Sequence, residues 1–357
     1  MTHTTTTILS AAAAATLLCL GGCDSADLTG VEGDVSFRED PWGTGRLNTL
    51  FLGQDETWPI DALPLIDDPE AAVRLHAVWT NHCVNEMSGQ VFHNELFYTS
   101  DLDGDLGITV TEGKLGPATF RKYGDPATTC TVKDADWVGT VWGVITTKDD
   151  VTKNHYMMLR DRTSDENGNP VHEWGVYSGE GDMFASKTYL PTCVEDVDPN
   201  ATFNLRYHAY LVDGLDVDTA TGDFTASPDQ FTIACRSGAI GKAMFWGYIP
   251  WDYGMDVHEL GARMVRADYC GTGQPNTEVG TLVQISDVYG VNGFGELLTT
   301  DEAAWDLETG AATCVTMPRK ESLQLDFDGF SCGDTVLPVC DENHFAAAEM
   351  RSRLGGA

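Results

Sequence analysis

After residue 22 the chain has no apolar run approaching the ~18 residues that a membrane-spanning helix needs. Basic charge is scarce: 21 Lys+Arg stand against 55 Asp+Glu, a formal net charge of −34. That excess excludes nucleic acid as a partner, because phosphate contacts need a basic patch. Cys-x-x-Cys is absent, which removes the commonest zinc spacing. So is the Gly-x-Ser-x-Gly turn of one large hydrolase class. There is no internal repeat and no low-complexity domain. What is present is enough to fold: 357 residues, 42% apolar and 10% aromatic, can bury a sizeable core as one large domain or two ordinary ones.

The start of the chain reads as an export signal. Ile8 to Leu20 is a short Ala/Leu/Ile run, too short to span, and MTHTTTT before it carries no Lys or Arg. The run closes with Leu20-Gly21-Gly22-Cys23, which resembles the lipobox of bacterial lipoproteins. Acylation of Cys23 would hold a soluble domain at a bilayer, since each buried CH₂ contributes about 0.8 kcal/mol. Of the ten cysteines, Cys19 lies in the signal and Cys23 takes the lipid. The other eight are Cys83, Cys130, Cys193, Cys235, Cys270, Cys314, Cys332 and Cys340. An even number in an exported chain reads as four disulfides. About a hundred pairings are open to eight thiols. Pairing of neighbours (83–130, 193–235, 270–314, 332–340) is the simplest of them.

Beyond a signal peptide at 1–22, residues 23–45 are polar, Gly-rich and aperiodic, a flexible tether. Short β-favouring runs follow, among them Val73–Trp79, Val91–Tyr98, Val138–Thr146, Val171–Tyr177 and Phe203–Leu211, with turn residues between them. They predict a β-rich domain over 46–189. Helical spacing comes later. Ser237 precedes Ile240, Ala243, Met244 and Gly247, with Ser237 as cap and Gly247 as stop. Asp256 and Glu259 have the spacing of a capping box ahead of a stripe of Val257, Leu260, Met264 and Ala267. Residues 341–357 read as a tail with one terminal helix. The fold class expected is α+β, predominantly antiparallel β, with a short helix pair in the C-terminal half, stapled by disulfides.

Arg266-Ala267-Asp268-Tyr269-Cys270-Gly271 resembles the motif of the ADYC domain family, a group of bacterial exported proteins, many of them lipoproteins. Phe231-Thr232-Ile233-Ala234-Cys235, Trp246-Gly247-Tyr248 with Pro250-Trp251, and Ala304-Trp305 with Cys314 fit the family pattern in order. The resemblance places an ADYC domain at 190–340 and implies no established activity. It also implies a cysteine in each of the two helices, where this chain has Ala243 and Gly261. Their joint loss is what a disulfide partnership elsewhere in the family would produce. It leaves Cys235, Cys270 and Cys314 to bond among themselves or to Cys193.

Several residue sets invite chemistry. Asp101, Asp103, Asp105 and Glu112 have the spacing of an EF-hand loop, so Ca²⁺ is the one cofactor to weigh, although Leu106 stands where the turn needs Gly. Asp213, Asp216, Asp218 and Asp223 form a second acidic loop. His258-Glu259 opens like a zinc-protease helix, but Ala262 replaces the second His. Asp268 and Tyr269 could handle protons beside His258 as catalytic candidates, but next to a half-cystine at a helix end they read first as structural. His82 next to Cys83 suggests a thiol dyad that a disulfide would cancel. Trp246, Tyr248, Trp251 and Tyr253 could form a ligand shelf; a core plug is the plainer reading. The expectation is a lipid-anchored module at the periplasmic or outer face of the cell envelope. It would bind an envelope or extracellular ligand, or serve structurally, without catalysis. An exported hydrolase using Asp268, Tyr269 and His258, or a Ca²⁺-stabilised adhesin, are the alternatives.

Overall fold

The computed structural model describes residues 35–37, 62–64, 73–98, 107–148, 151–178, 188–193, 205, 207–218, 220–277, 281–295, 300–324 and 328–354. Among them the fold is mostly antiparallel β. The strands are β1 (Val35–Phe37), β2 (Ala62–Pro64), β3 (Val73–Val84), β4 (Val91–Tyr98), β5 (Val110–Thr111), β6 (Lys114–Leu115), β7 (Ala118–Lys122) and β8 (Asp125–Val132). Next come β9 (Val141–Lys148), β10 (Val151–Ser164), β11 (Pro170–Ser178), β12 (Thr188–Pro191), β13 (His208–Val217) and β14 (Phe224–Cys235). Three helices follow, α1 (Ala239–Phe245), α2 (Pro250–Tyr253) and α3 (Met255–Arg266). The chain then forms β15 (Thr281–Asp287), β16 (Thr300–Asp306), β17 (Ala311–Val315), β18 (Phe330–Cys332), β19 (Thr335–Leu337), α4 (Glu342–Ala347) and β20 (Met350–Leu354).

Two sheets carry the architecture. The larger runs β2-β14-β13-β11-β10-β9-β3-β4-β7-β8, with β12 on β11, and curls until Val84 of β3 meets Thr131 of β8. The smaller runs β1-β15-β20-β16-β17. The helices lie between them: α3 packs against β14 of the large sheet and β16 of the small one. This gives two main cores. In β13 and β14, Ala209, Leu211, Phe231 and Ile233 point into the curl of the large sheet, while Tyr210, Val212 and Ala234 face the helices. The alternation is the two-residue period of a strand buried on both faces. Inside the curl, Trp142 meets Trp137 at 5.4 Å and Trp174 at 4.9 Å between ring centroids. Both cores hold their large residues dry, each worth about 1.5–3 kcal/mol of burial.

Four disulfides staple the fold: Cys83–Cys130, Cys193–Cys235, Cys270–Cys332 and Cys314–Cys340. The neighbour pairing fails for the last four thiols. The β18–β19 hairpin comes back to the end of α3, so Cys332 reaches Cys270. Cys340, just before α4, then reaches β17 and Cys314.

The helix ends also differ from expectation. Neither Ser237 nor Asp256 caps; Gly238 and Gly254 hold the N-cap positions without a side-chain bond. Asp256 falls one residue inside α3, and Glu259 turns to Arg263 instead. Gly247 does end α1, at φ 92°, with Tyr248 N–H on the Ala243 carbonyl at 3.0 Å. Ala267 is buried in the same core as the stripe, but as a left-handed C-cap at φ 52° and not as a helical rung, followed by Asp268 N–H on the Arg263 carbonyl. The stretch 341–357 is more than a helical tail: six residues of helix lead into β20, a central strand of the small sheet.

Candidate functional site

The sequence motif Ala267–Cys270 lies where α3 ends. The left-handed turn at Ala267 reverses the chain, which lets Asp268 point back beneath the helix. Its fully buried carboxylate accepts from Arg263 Nη1 at 3.0 Å, Thr272 N at 3.0 Å and Gly273 N at 2.7 Å. Burial pushes the Asp268 carboxyl above the usual range; the two backbone donors and Arg263 work against that rise. Arg263 is shared further with Glu259 and with Asp223 of the acidic loop.

Tyr269 enters the core between the helices and the small sheet. Its ring stacks on Trp305 at 5.6 Å and meets Phe330 at 4.7 Å. Its hydroxyl donates to Glu302 Oε1 at 2.7 Å and accepts from Arg319 N at 3.0 Å. Burial holds this phenol well above its ordinary range, so it stays protonated. Glu302 and Arg319 are themselves wholly buried and paired, Nε to Oε1 at 2.6 Å and Nη2 to Oε2 at 3.1 Å. The guanidinium also donates to the carbonyls of Val265 at 2.8 Å and Met264 at 2.7 Å, closing the orphan end of α3. The motif thus builds a saturated polar joint between α3, β16 and the loop after β17.

His258 does not join it. About 12 Å of helix separates it from Arg266. Its Nδ1 sits 2.7 Å from the Tyr248 carbonyl oxygen, to which it donates, and its ring is fully buried against Phe224. Burial lowers its pKa to about 4. Asp268, Tyr269 and His258 therefore stand on separate sets of partners, not in one cleft. The aromatic group is likewise divided. Trp246 and Tyr248 are buried in the core, with Tyr248 Oη on Asp287 Oδ2 at 3.1 Å. Trp251 is partly buried near Gly113, and Tyr253 is 39% exposed beside Tyr289. Two of the four rings are plugs, so an open shelf of all four is not formed.

In the EF-hand-like stretch, Asp101, Asp103 and Asp105 lie outside the described residues. Glu112 is exposed in the turn between β5 and β6 at φ 47°. Asp218 in the second acidic loop is used by its own turn, accepting from Ala220 N and Thr221 N. Among the described residues no three His, Cys, Asp or Glu side chains converge as a metal-holding group. Cys23 also lies outside the described residues. Cys83 is bonded to Cys130, so the thiol dyad with His82 does not form; His82 turns to Asp136 instead.

Sequence reasoning passed over the buried arginines. Arg236 is 2% exposed, pairs with Glu166 at 3.1 Å and lies over the Phe245 ring at 5.0 Å. Beside it Tyr210 Oη donates to Asp165 at 2.7 Å, and Asn167 Nδ2 donates to the Phe245 carbonyl, so the β10–β11 turn is latched onto α1. Scarce cations placed within apolar stretches, as Arg236 after Phe231–Cys235 and Arg319 after Val315, were the available signal. An open cavity of about 320 Å³ lies by α4, lined by Asp306, Thr313, Asp341, His344, Ala347 and Ala348 among others.

No curated protein and no solved structure matches this chain. A family model does match, that of the ADYC domain, over residues 134–321. The match takes in the Asp268–Tyr269 joint, the three helices and the adjoining strands of both sheets. More than half of the chain lies within it, and the protein belongs to the ADYC domain family.

Proposed function

We propose that the protein is anchored by lipid on Cys23 and works outside the cytoplasm as a binding or structural module without catalysis. The observation that carries this reading is the bonding of all eight remaining thiols into four disulfides, a state that persists in oxidising compartments. Cys23, behind Leu20-Gly21-Gly22, is the thiol left over for acylation. The burial of Asp268, Tyr269 and His258 on separate partners supports a structural use of the family motif. The ligand on this reading is an envelope or extracellular molecule.

The test is expression in a lipoprotein-processing bacterium with labelled palmitate. The full chain is expected to take up label and sediment with membranes; Cys23→Ser is expected to lose both properties. Label retained by Cys23→Ser, or a wild-type chain free of membranes, would refute the anchor. Turnover of an ester, peptide or glycoside that Asp268→Asn abolishes at unchanged melting temperature would restore the hydrolase. A chelator-induced fall in melting temperature that Asp103→Ala removes would restore the Ca²⁺ adhesin.

A further inference from the structure

His82 on β3 and His93 on β4 are direct cross-strand partners. Their ring centroids stand 5.3 Å apart, with the planes tilted by 53°. Two imidazoles bound to one tetrahedral metal at ~2.0–2.1 Å have centroids roughly 5 Å apart, so the pair has the spacing of a chelate. His82 is also oriented. Its Nδ1 lies 2.8 Å from Asp136 Oδ1. With the carboxylate oxygen as acceptor Nδ1 is the donor, which in the neutral ring leaves the Nε2 lone pair for a metal. A carboxylate behind a histidine in this way fixes the ring and raises its basicity as a metal ligand.

The orienting group is itself held. Asp136 belongs to the 3-10 turn Asp134–Trp137, whose Trp137 is buried with Nε1 on the Gly116 carbonyl at 3.0 Å. The Cys83–Cys130 disulfide ties the strand of His82 to the strand that leads into this turn. Solvent reaches the site: His82 is 39% exposed, Asp136 26%, and His93 is on the surface. The other described imidazoles offer no such pair. His155, His172, His208 and His258 are buried, and His344 is tied to Asp341 in the capping box of α4. With the described thiols bridged, imidazole is the softest side-chain ligand left for a borderline transition metal, carboxylate being the harder one.

We propose that His82 and His93 bind one divalent transition-metal ion of the Zn²⁺ type through their ring nitrogens, with Asp136 as the positioning residue. Two protein ligands leave coordination positions open, so the ion would also be a docking point for a donor atom of an incoming ligand. The site lies outside the segment matched by the family model, apart from Asp136.

The test is titration calorimetry of the metal-free full chain with ZnCl₂, in excess Mg²⁺ and Ca²⁺ to occupy the diffuse acidic surface. One saturable site per chain is expected. His82→Ala and His93→Ala are each expected to remove it, and Asp136→Asn to weaken it about 10- to 100-fold at unchanged melting temperature. His344→Ala is expected to leave it unchanged. Co²⁺ should give a visible absorption band that His93→Ala abolishes. Because His93 is on the surface, that variant decides the matter even if His82→Ala fails to fold. Absence of a saturable Zn²⁺ site, or one that persists in His93→Ala, would overturn the proposal.

Discussion

His172 and His258 have no exposed surface, and burial sets their proton affinity. His172 lies in β11 with both ring nitrogens unpartnered. Burial first, then the nearby Arg162 and His208, lower its pKa to about 3; burial lowers that of His258 to about 4. Both fall below the ~6.5 of an unfolded histidine, so the native state favours the neutral rings. Their contribution to stability is complete above that value and is lost as pH falls through 6 towards 4 and 3. Over that window each site changes the unfolding free energy by about 1.4 kcal/mol per pH unit. Urea unfolding between pH 7 and 4.5 is expected to show this slope, flattened in His258→Gln. A slope unchanged by the substitution would show that His258 does not titrate this way. At this scale the sequence was partly legible. The stripe Val257, Leu260 and Met264 puts His258 on a helix, where it lies. Neither the Tyr248 carbonyl facing His258 nor the Glu302 and Arg319 around Tyr269 could be read, because those contacts cross 10 to 50 residues of chain.

Strands and helices were legible where a local pattern forms them. The alternation in Val73–Trp79 and the stripe Val257, Leu260, Met264 follow from periodicity alone, and β3 and α3 contain them. β14 escaped because it is buried on both faces at one end and largely exposed and polar at the other, so it has no clean period. The helix caps were misplaced because glycine holds N-cap positions without a side-chain signature. The contact of α1 with α3 makes a sharper statement. A Cβ at Gly261 would stand 3.3 Å from Ala243 Cβ and 2.7 Å from Tyr248 Cδ2. Ala243 and Gly261 are the positions where the family resemblance implied paired cysteines. The first distance is just under the ~3.5–4.5 Å of a disulfide. The double variant Ala243→Cys/Gly261→Cys is therefore expected to form a fifth bridge when secreted, seen by intact mass as the loss of two hydrogens. Gly261→Cys alone is expected to lower the melting temperature, since the Tyr248 ring is crowded with no bond formed in return. Two free thiols in the double variant would contradict this packing.

For the whole molecule, the disulfides separate what sequence proximity conveys from what topology decides. Cys83–Cys130 and Cys193–Cys235 join neighbours in sequence. Cys270–Cys332 and Cys314–Cys340 interleave in sequence, so each loop carries one half-cystine of the other. Peptide mapping under non-reducing conditions is expected to recover these two links; recovery of 270–314 and 332–340 would contradict the arrangement of β17, β18 and α4. The last strand to be made, β20, completes the small sheet. It pairs with β15 on one side and β16 on the other, although both precede it by more than forty residues. A ribosome makes the two flanking strands first and leaves a gap between them. Until Met350–Leu354 arrives, each keeps a row of unpaired amides open to pairing with foreign strands. A chain cut short before that point therefore shows its incompleteness on its surface, where proteases and chaperones can read it.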